Sequence, residues 1–198
     1  RDMKKTFADK AFTFYKNLSL EADLPPDVAV MNPYTLPAVQ NYVRQFLDTF
    51  FSDTNERILC LGINPGRFGS GTTGVTFTDP VALNDFCGIE NDLPRVRERS
   101  SEFLYSFIEK WGGPKKFYQT FFLTAVSPLG FTRKGLNYNY YDSPALFAAV
   151  QPFIIETLSL QCALGVNRSA AILLGTGKNQ TCFAELNATH GFFKKLYV

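Results

Sequence analysis

Residues 57–69 read Arg57-Ile58-Leu59-Cys60-Leu61-Gly62-Ile63-Asn64-Pro65-Gly66-Arg67-Phe68-Gly69. The first six are rich in β-formers and closed by glycine, which predicts a buried strand. The stretch 64–78 that follows holds four Gly, one Pro and four Thr, too turn-rich for regular structure. Working outward, three further strands are expected at 121–126 (FFLTAV, broken by Ser127-Pro128), 170–174 (AAILL, followed by Gly175-Thr176-Gly177) and 192–198 (FFKKLYV). Helical patterns occupy 3–18, 37–51 (opened by Pro37), 80–86, 97–111 (ended by Gly112-Gly113) and 178–189. Another spans 143–164, with Ser143 as N-cap, Pro144 at the first position and Pro152 as an expected kink. Met31-Asn32-Pro33-Tyr34 reads as a loop. Strands separated by helices of this length pair in parallel. The expected class is α/β, a three-layer α/β/α sandwich around a central, mainly parallel four-stranded sheet. Ligands of such sheets bind at the carboxyl ends of the strands, here 62–64, 124–129 and 175–177.

The bulk numbers bound the function. A chain of 198 residues, 45% hydrophobic and with 20 Phe, has the size and content of one packed domain. Its 20 Lys and Arg against 18 Asp and Glu give a net charge of only +2, so any basic surface must be local. Cys60, Cys87, Cys162 and Cys182 form no CxxC pair and the chain has one His, which argues against a zinc or iron–sulfur site. Cys60 lies in an apolar run and the others in helix-like segments, as buried thiols of a reducing compartment do. No signal peptide is visible, and no apolar stretch reads as long enough to cross a membrane. No metal and no cofactor is expected, and a cytoplasmic monomer is.

In Gly62-Ile63-Asn64-Pro65-Gly66 the Walker Lys-Ser/Thr and the GxGxxG spacing are both missing, so the common phosphate loops are unsupported. What remains is one amide at the mouth of a strand, held by a rigid Pro, with glycines that allow close backbone approach. Such an amide can orient a water or bond to a base edge, although Asn before Pro also caps ordinary turns.

The longer pattern is specific. Residues 62–69, then Thr73-Gly74-Val75 and Phe77, resemble the first motif of the uracil-DNA glycosylase superfamily over sixteen positions. The similarity is greatest to the single-strand-selective monofunctional (SMUG) branch, whose pattern is like GMNPGPFG, four residues, then GVPFG. Asn32-Pro33-Tyr34 is similar to an upstream Asn-Pro-Leu of that family, and Leu174-Gly175-Thr176-Gly177-Lys178 to its loop after a later strand, which opens a helix. The resemblance implies a DNA glycosylase that flips a damaged base, uracil first, and hydrolyses its glycosidic bond in base excision repair. It implies that Asn64 orients the attacking water and that Phe77 stacks on the base. Gly66 then stands where other branches place an aromatic that blocks the thymine methyl. Gly62, Ile63, Pro65, Phe68, Ala125 and Ser127 complete the expected base-binding set. If the bond breaks before water arrives, water needs positioning more than deprotonation. The departing base needs donors, for which the backbone N–H groups of residues 66–68 are candidates.

Two departures from that family are visible. Ala125 stands where the family has an Asn that reads the pyrimidine edge, with Ser127 or Asn137 as possible substitutes. Loss of such an amide weakens discrimination, so hypoxanthine and xanthine join uracil as expected bases. The family's His-Pro motif follows its last core strand, and here it is expected beyond Val198, making 1–198 one domain short of a C-terminal segment. His190, next to Gly191, reads as a helix end and is not assigned to catalysis. Gly175, Gly177 and Lys178 suit a DNA phosphate at a helix start. Arg133 and Lys134, among Tyr138, Tyr140 and Tyr141, suit unpaired bases. With no lyase lysine in the resembled motifs, the expected enzyme is monofunctional. The alternative is a non-catalytic DNA- or nucleotide-binding module on the same fold.

Overall fold

The computed structural model describes residues 4–198. Helix α1 (Phe7–Lys16) starts at a reciprocal cap between Thr6 and Asp9; Met3, placed in this helix by its pattern, lies outside the described residues. Strand β1 (Val28–Met31) and a 3-10 turn (Pro33–Thr35) stand where a loop is expected at 31–34. Asn32 makes that turn, its side chain accepting the Tyr34 N–H. Helix α2 (Pro37–Phe50) and strand β2 (Ile58–Gly62) follow. The turn-rich stretch 64–78 contains one helical turn, α3 (Ser70–Thr73). Helices α4 (Pro80–Asp85) and α5 (Arg99–Trp111) match their patterns to within two residues. Helix α6 (Pro114–Thr120) is unforeseen: Gly112-Gly113 ends one helix, and Pro114 at once opens another.

Strands β3 (Phe121–Ala125), β4 (Gly130–Arg133) and β5 (Leu136–Tyr138) lead to α7 (Pro144–Cys162), β6 (Ala170–Leu173), α8 (Lys178–His190) and β7 (Lys195–Tyr197). The four expected strands form one wholly parallel sheet in the order β3-β2-β6-β7. With helices against it this is the expected three-layer α/β/α sandwich. Central β2 is buried from Leu59 to Gly62, which explains its unbroken apolar reading. A second, antiparallel sheet of order β1-β4-β5 was not expected. Its hairpin closes on Lys134 and Gly135, both with positive φ (51° and 75°), as a two-residue turn of the primed kind requires.

By length and composition α7 could cross a membrane, contrary to the expectation from sequence. In the fold it is a core helix. Val150, Ile154 and Leu158 are buried, and buried Gln161 accepts a 2.5 Å hydrogen bond from Thr124 of β3. Pro152 lies inside it. Cys60 and Cys87 are buried, their thiols pushed up to about 12 by desolvation. Cys87 follows α4 instead of lying in a helix, and Cys162 and Cys182 are only half-buried.

The phenylalanines concentrate where α1, α2 and β3 meet. Phe7, Phe51 and Phe122 contact one another with centroids 5.0–5.4 Å apart. Against them lies Arg57, fully buried, its guanidinium 5.4 and 5.0 Å from the Phe7 and Phe51 rings. It donates to the carbonyls of Tyr118, Asn55 and Phe50 and to both oxygens of Asp53 at 2.5 and 3.0 Å. This charge at the start of β2 is tolerable because every donor direction is used.

Arg57 holds the Asp53 carboxyl below its ordinary value of 3.8. Its contribution is therefore complete above the unfolded-state value and is lost as pH falls through the lower folded-state value. Asp53→Asn should lower unfolding free energy at pH 7 by about 1–2 kcal/mol, less than for a fully buried pair because the Asp53 side chain is 37% exposed. Urea titrations of parent and variant should converge as the pH falls below the ordinary carboxyl value; a gap constant with pH would show that the ion pair contributes nothing.

Candidate active site

The cleft forms where three strands end. Beyond β2 and β3 the chains stay paired: Val126 N–H donates to Gly62 O at 2.9 Å and Ser127 N–H to Ile63 O at 3.0 Å. On the other side Leu174 N–H donates to Leu61 O at 2.9 Å. The loops after β2, β3 and β6 are thus held side by side. Between them lies a cleft of about 250 Å³ whose walls include Gly62, Ile63, Asn64, Pro65, Gly66, Phe77 and Ala125.

The loop from 64 to 78 is folded back on itself. Gly69 and Gly71 N–H both donate to Gly66 O, and a Cβ on Gly71 would stand 2.6 Å from that oxygen. Asn64 is half-buried at the cleft. Its Oδ1 accepts the Tyr140 N–H at 2.9 Å, while Nδ2 faces the carbonyls of Pro65 and Tyr138 at 3.3 and 3.4 Å.

Phe77 has φ 56°, in the left-handed region that a bulky residue avoids. Its neighbours hold it there. Thr73 Oγ1 donates to Thr78 O at 2.7 Å, and the Thr78 hydroxyl meets the buried Tyr105 hydroxyl at 2.7 Å, which in turn meets that of Tyr118. The strained backbone aims the ring across the end of β2, where its tip fills the space of a missing side chain. A Cβ on Gly62 would stand 2.5 Å from Phe77 Cζ.

Two expected base-binding residues lie elsewhere. Phe68 is 46% exposed, its ring 4.5 Å from the Arg67 guanidinium, outside the cleft wall. Ser127 is buried and its hydroxyl donates to Leu129 O at 2.7 Å, so the side chain is spent inside the fold. Gly175 and Gly177, with φ 94° and 84°, turn the chain from β6 into α8, whose first residue is Lys178. Leu174 joins that turn to the cleft. Arg133 and Lys134 sit at the β4–β5 hairpin, with Arg133 in a 2.6 Å ion pair with Asp27 that lowers the carboxyl's pKa. His190 ends α8, exposed and stacked on Phe192.

The cleft also holds Glu98 and Asn139, which carry no signal in their own stretch of sequence, and Asn137, the alternative to Ser127 as a substitute for the reading amide. Glu98 stands at the start of α5 without a side-chain cap, its N–H donating to Asp79 Oδ2 at 2.9 Å. The same buried Asp79 accepts from Ala82 N–H and Arg97. The Glu98 carboxylate, bonded by the Ser100 hydroxyl at 2.8 Å, lies over Gly66 and Gly69, where a Cβ on Gly69 would collide with it. Asn137 faces Gly66 from the hairpin and accepts the Arg67 N–H at 2.9 Å, so that N–H is not free for a base. Asn139 completes this wall.

The family model of the Uracil DNA glycosylase superfamily matches residues 49–196. The chain belongs to that superfamily. Among solved structures it is similar to the wild-type SMUG2 of Pedobacter heparinus, with 42% sequence identity and a TM-score of 0.94 over 98% of this chain and 86% of that one. No match was found among curated proteins. The protein is a DNA glycosylase, a hydrolase of DNA repair with a SMUG-like fold.

For this glycosylase the Gly62–Phe77 contact sets the cleft's shape. Gly62→Ala should drive the ring out, lowering stability by about 1–3 kcal/mol and base release by at least about tenfold. Thermal unfolding and single-turnover assays measure the two, and parental values in both would show that the ring has room to spare.

Proposed function

We propose that this glycosylase removes uracil, hypoxanthine and xanthine from DNA, leaving an abasic site in an intact strand. The observation that carries this reading is that Asn64 and Phe77 face one cleft whose walls at Gly66 and Ala125 have almost no side chain. A purine needs more room than a pyrimidine; residue 66 has no side chain to take that room, and the groups that stand over it, the Glu98 carboxylate and the Asn137 amide, are the ends of flexible side chains.

In this reading the base leaves the stack and lies against Phe77, at a cost that is least for damaged or unpaired bases. The glycosidic bond breaks with its electrons going to the base. Water held by Asn64 Oδ1 then adds to the sugar carbon, its hydroxyl staying on the sugar and a proton neutralising the base. Asn64 can be neutral because an oxocarbenium-like sugar needs water placed rather than deprotonated. Donors for the departing base are the N–H groups of Gly66 and Phe68 and the Asn137 amide beside Gly66, since Arg67 N–H is already bonded. Lys178 with Gly175 and Gly177, and Arg133 with Lys134, would take the DNA backbone, the enzyme acting as a monomer wherever the cell keeps its DNA.

Oligonucleotides bearing each base provide the test. The parent chain should convert all three into alkali-labile abasic sites without direct strand cleavage, and Asn64→Ala should slow release by about 100-fold or more. DNA binding without base release would favour the non-catalytic module, and strict uracil selectivity would sink the broad range. Ala125→Asn should restore a reading amide and lower hypoxanthine and xanthine release relative to uracil by about tenfold; an unchanged ratio would show that residue 125 does not read the base.

A further inference from the structure

The segment between β5 and α7 touches both ends of the site through one residue. Tyr140 donates its backbone N–H to Asn64 Oδ1 at 2.9 Å and its hydroxyl to Asn179 Oδ1 at 2.6 Å. Tyr140 is fully buried and Asn179 is 1% exposed. Asn179 is the second residue of α8, directly after Lys178 and the Gly175–Gly177 turn. A parallel contact runs beside it: cleft residue Asn139 donates to the Tyr141 hydroxyl at 3.3 Å, and Lys178 Nζ lies 5.6 Å from the Tyr141 ring.

The Tyr140 N–H decides which end of the Asn64 amide faces where. Only an oxygen accepts that proton, so Oδ1 turns to Tyr140 and Nδ2 to the carbonyls of Pro65 and Tyr138. A water about to attack an electron-poor carbon must give a hydrogen bond, and Oδ1 keeps a second lone pair for it. A flipped amide would offer that water a donor and leave the Tyr140 N–H unpaired. The peptide can hold Oδ1 only if it stays in place, and the hydroxyl bond to α8 restrains it together with the Asn139–Asp142 turn. Burial pushes the Tyr140 phenol well above its ordinary pKa, so the hydroxyl remains a donor throughout the working range.

We infer that Tyr140, anchored by Asn179, is a positioning residue that sets the orientation of the Asn64 amide and ties it to the helix start proposed to receive the DNA backbone. This rests on the glycosylase reading of the cleft. Tyr140→Phe deletes only the hydroxyl, Asn179→Leu removes the acceptor at similar volume, and Asn179→Asp keeps an acceptor oxygen.

The full chain carrying each change is assayed for single-turnover uracil release and for DNA affinity, well below its measured unfolding midpoint. Tyr140→Phe and Asn179→Leu should each slow release about tenfold at parental affinity. The double variant should be no slower than the worse single one, because both break the same bond, and Asn179→Asp should recover most of the rate. A merely structural role predicts a lower midpoint with a parental release rate. That result, or losses that multiply in the double variant, overturns the inference alone. A parent chain that releases no base overturns it together with the glycosylase reading.

Discussion

Three peptide hydrogen bonds made past the ends of the strands hold this site together. β2 lies between β3 and β6, and its last carbonyls, with that of Ile63, accept from Leu174, Val126 and Ser127. The bonds fix the loops after all three strands to one another before any side chain is placed. Because the strands are parallel, their carboxyl ends lie together, and every loop that leaves them starts from the same edge. The Asn64 amide and the Phe77 ring face one cleft because their shared loop begins one residue beyond that edge. Burial of Leu59, Cys60 and Leu61 on both faces of β2 makes the edge rigid.

Space at that edge is made by glycine and filled by groups from elsewhere. Gly62 yields to the tip of Phe77, Gly69 to the carboxylate of Glu98, and Gly130 to the carbonyl of Pro65. Each close approach removes one position from side-chain use and gives its space to a group from another part of the chain. The left-handed backbone of Phe77 belongs to the same trade. Strain of about 1–3 kcal/mol at such a residue persists only where the surroundings outweigh it, and here the buried hydroxyl chain through Thr78, Tyr105 and Tyr118 does so.

What was legible in the sequence was what is local. The four strands of the parallel sheet were readable because each is a short apolar run followed by a break. That residues 62–66 and 77 meet at one cleft was readable because the backbone geometry that brings them there is confined to sixteen positions. The antiparallel sheet was hidden because β1, β4 and β5 have three or four residues each and are held by pairing with one another, not by an alternating pattern of their own. The motif position of Phe68 predicts a place in the cleft. One residue's rotation in a loop instead puts its ring under Arg67, and only the fold decides such rotations. Ser127 offered a hydroxyl at a strand end, but two residues further on a buried carbonyl needed it.

The groups that escaped the sequence share one cause. Glu98 and Asn139 reach the cleft from a helix start and from just after the hairpin, more than thirty residues from Asn64. Their placement depends on contacts that leave no pattern near them. Asp79 is the clearest case: one buried carboxylate accepts from Ala82, Arg97 and Glu98 and so joins the start of α4 to the start of α5. That junction points the Glu98 side chain back over Gly66 and Gly69. In sequence Glu98 looks like any charged residue before a helix. Its place in the cleft follows from the single acid nineteen residues earlier that holds its backbone, so the lining of the cleft is set by the Asp79 junction as well as by the strand-end motif.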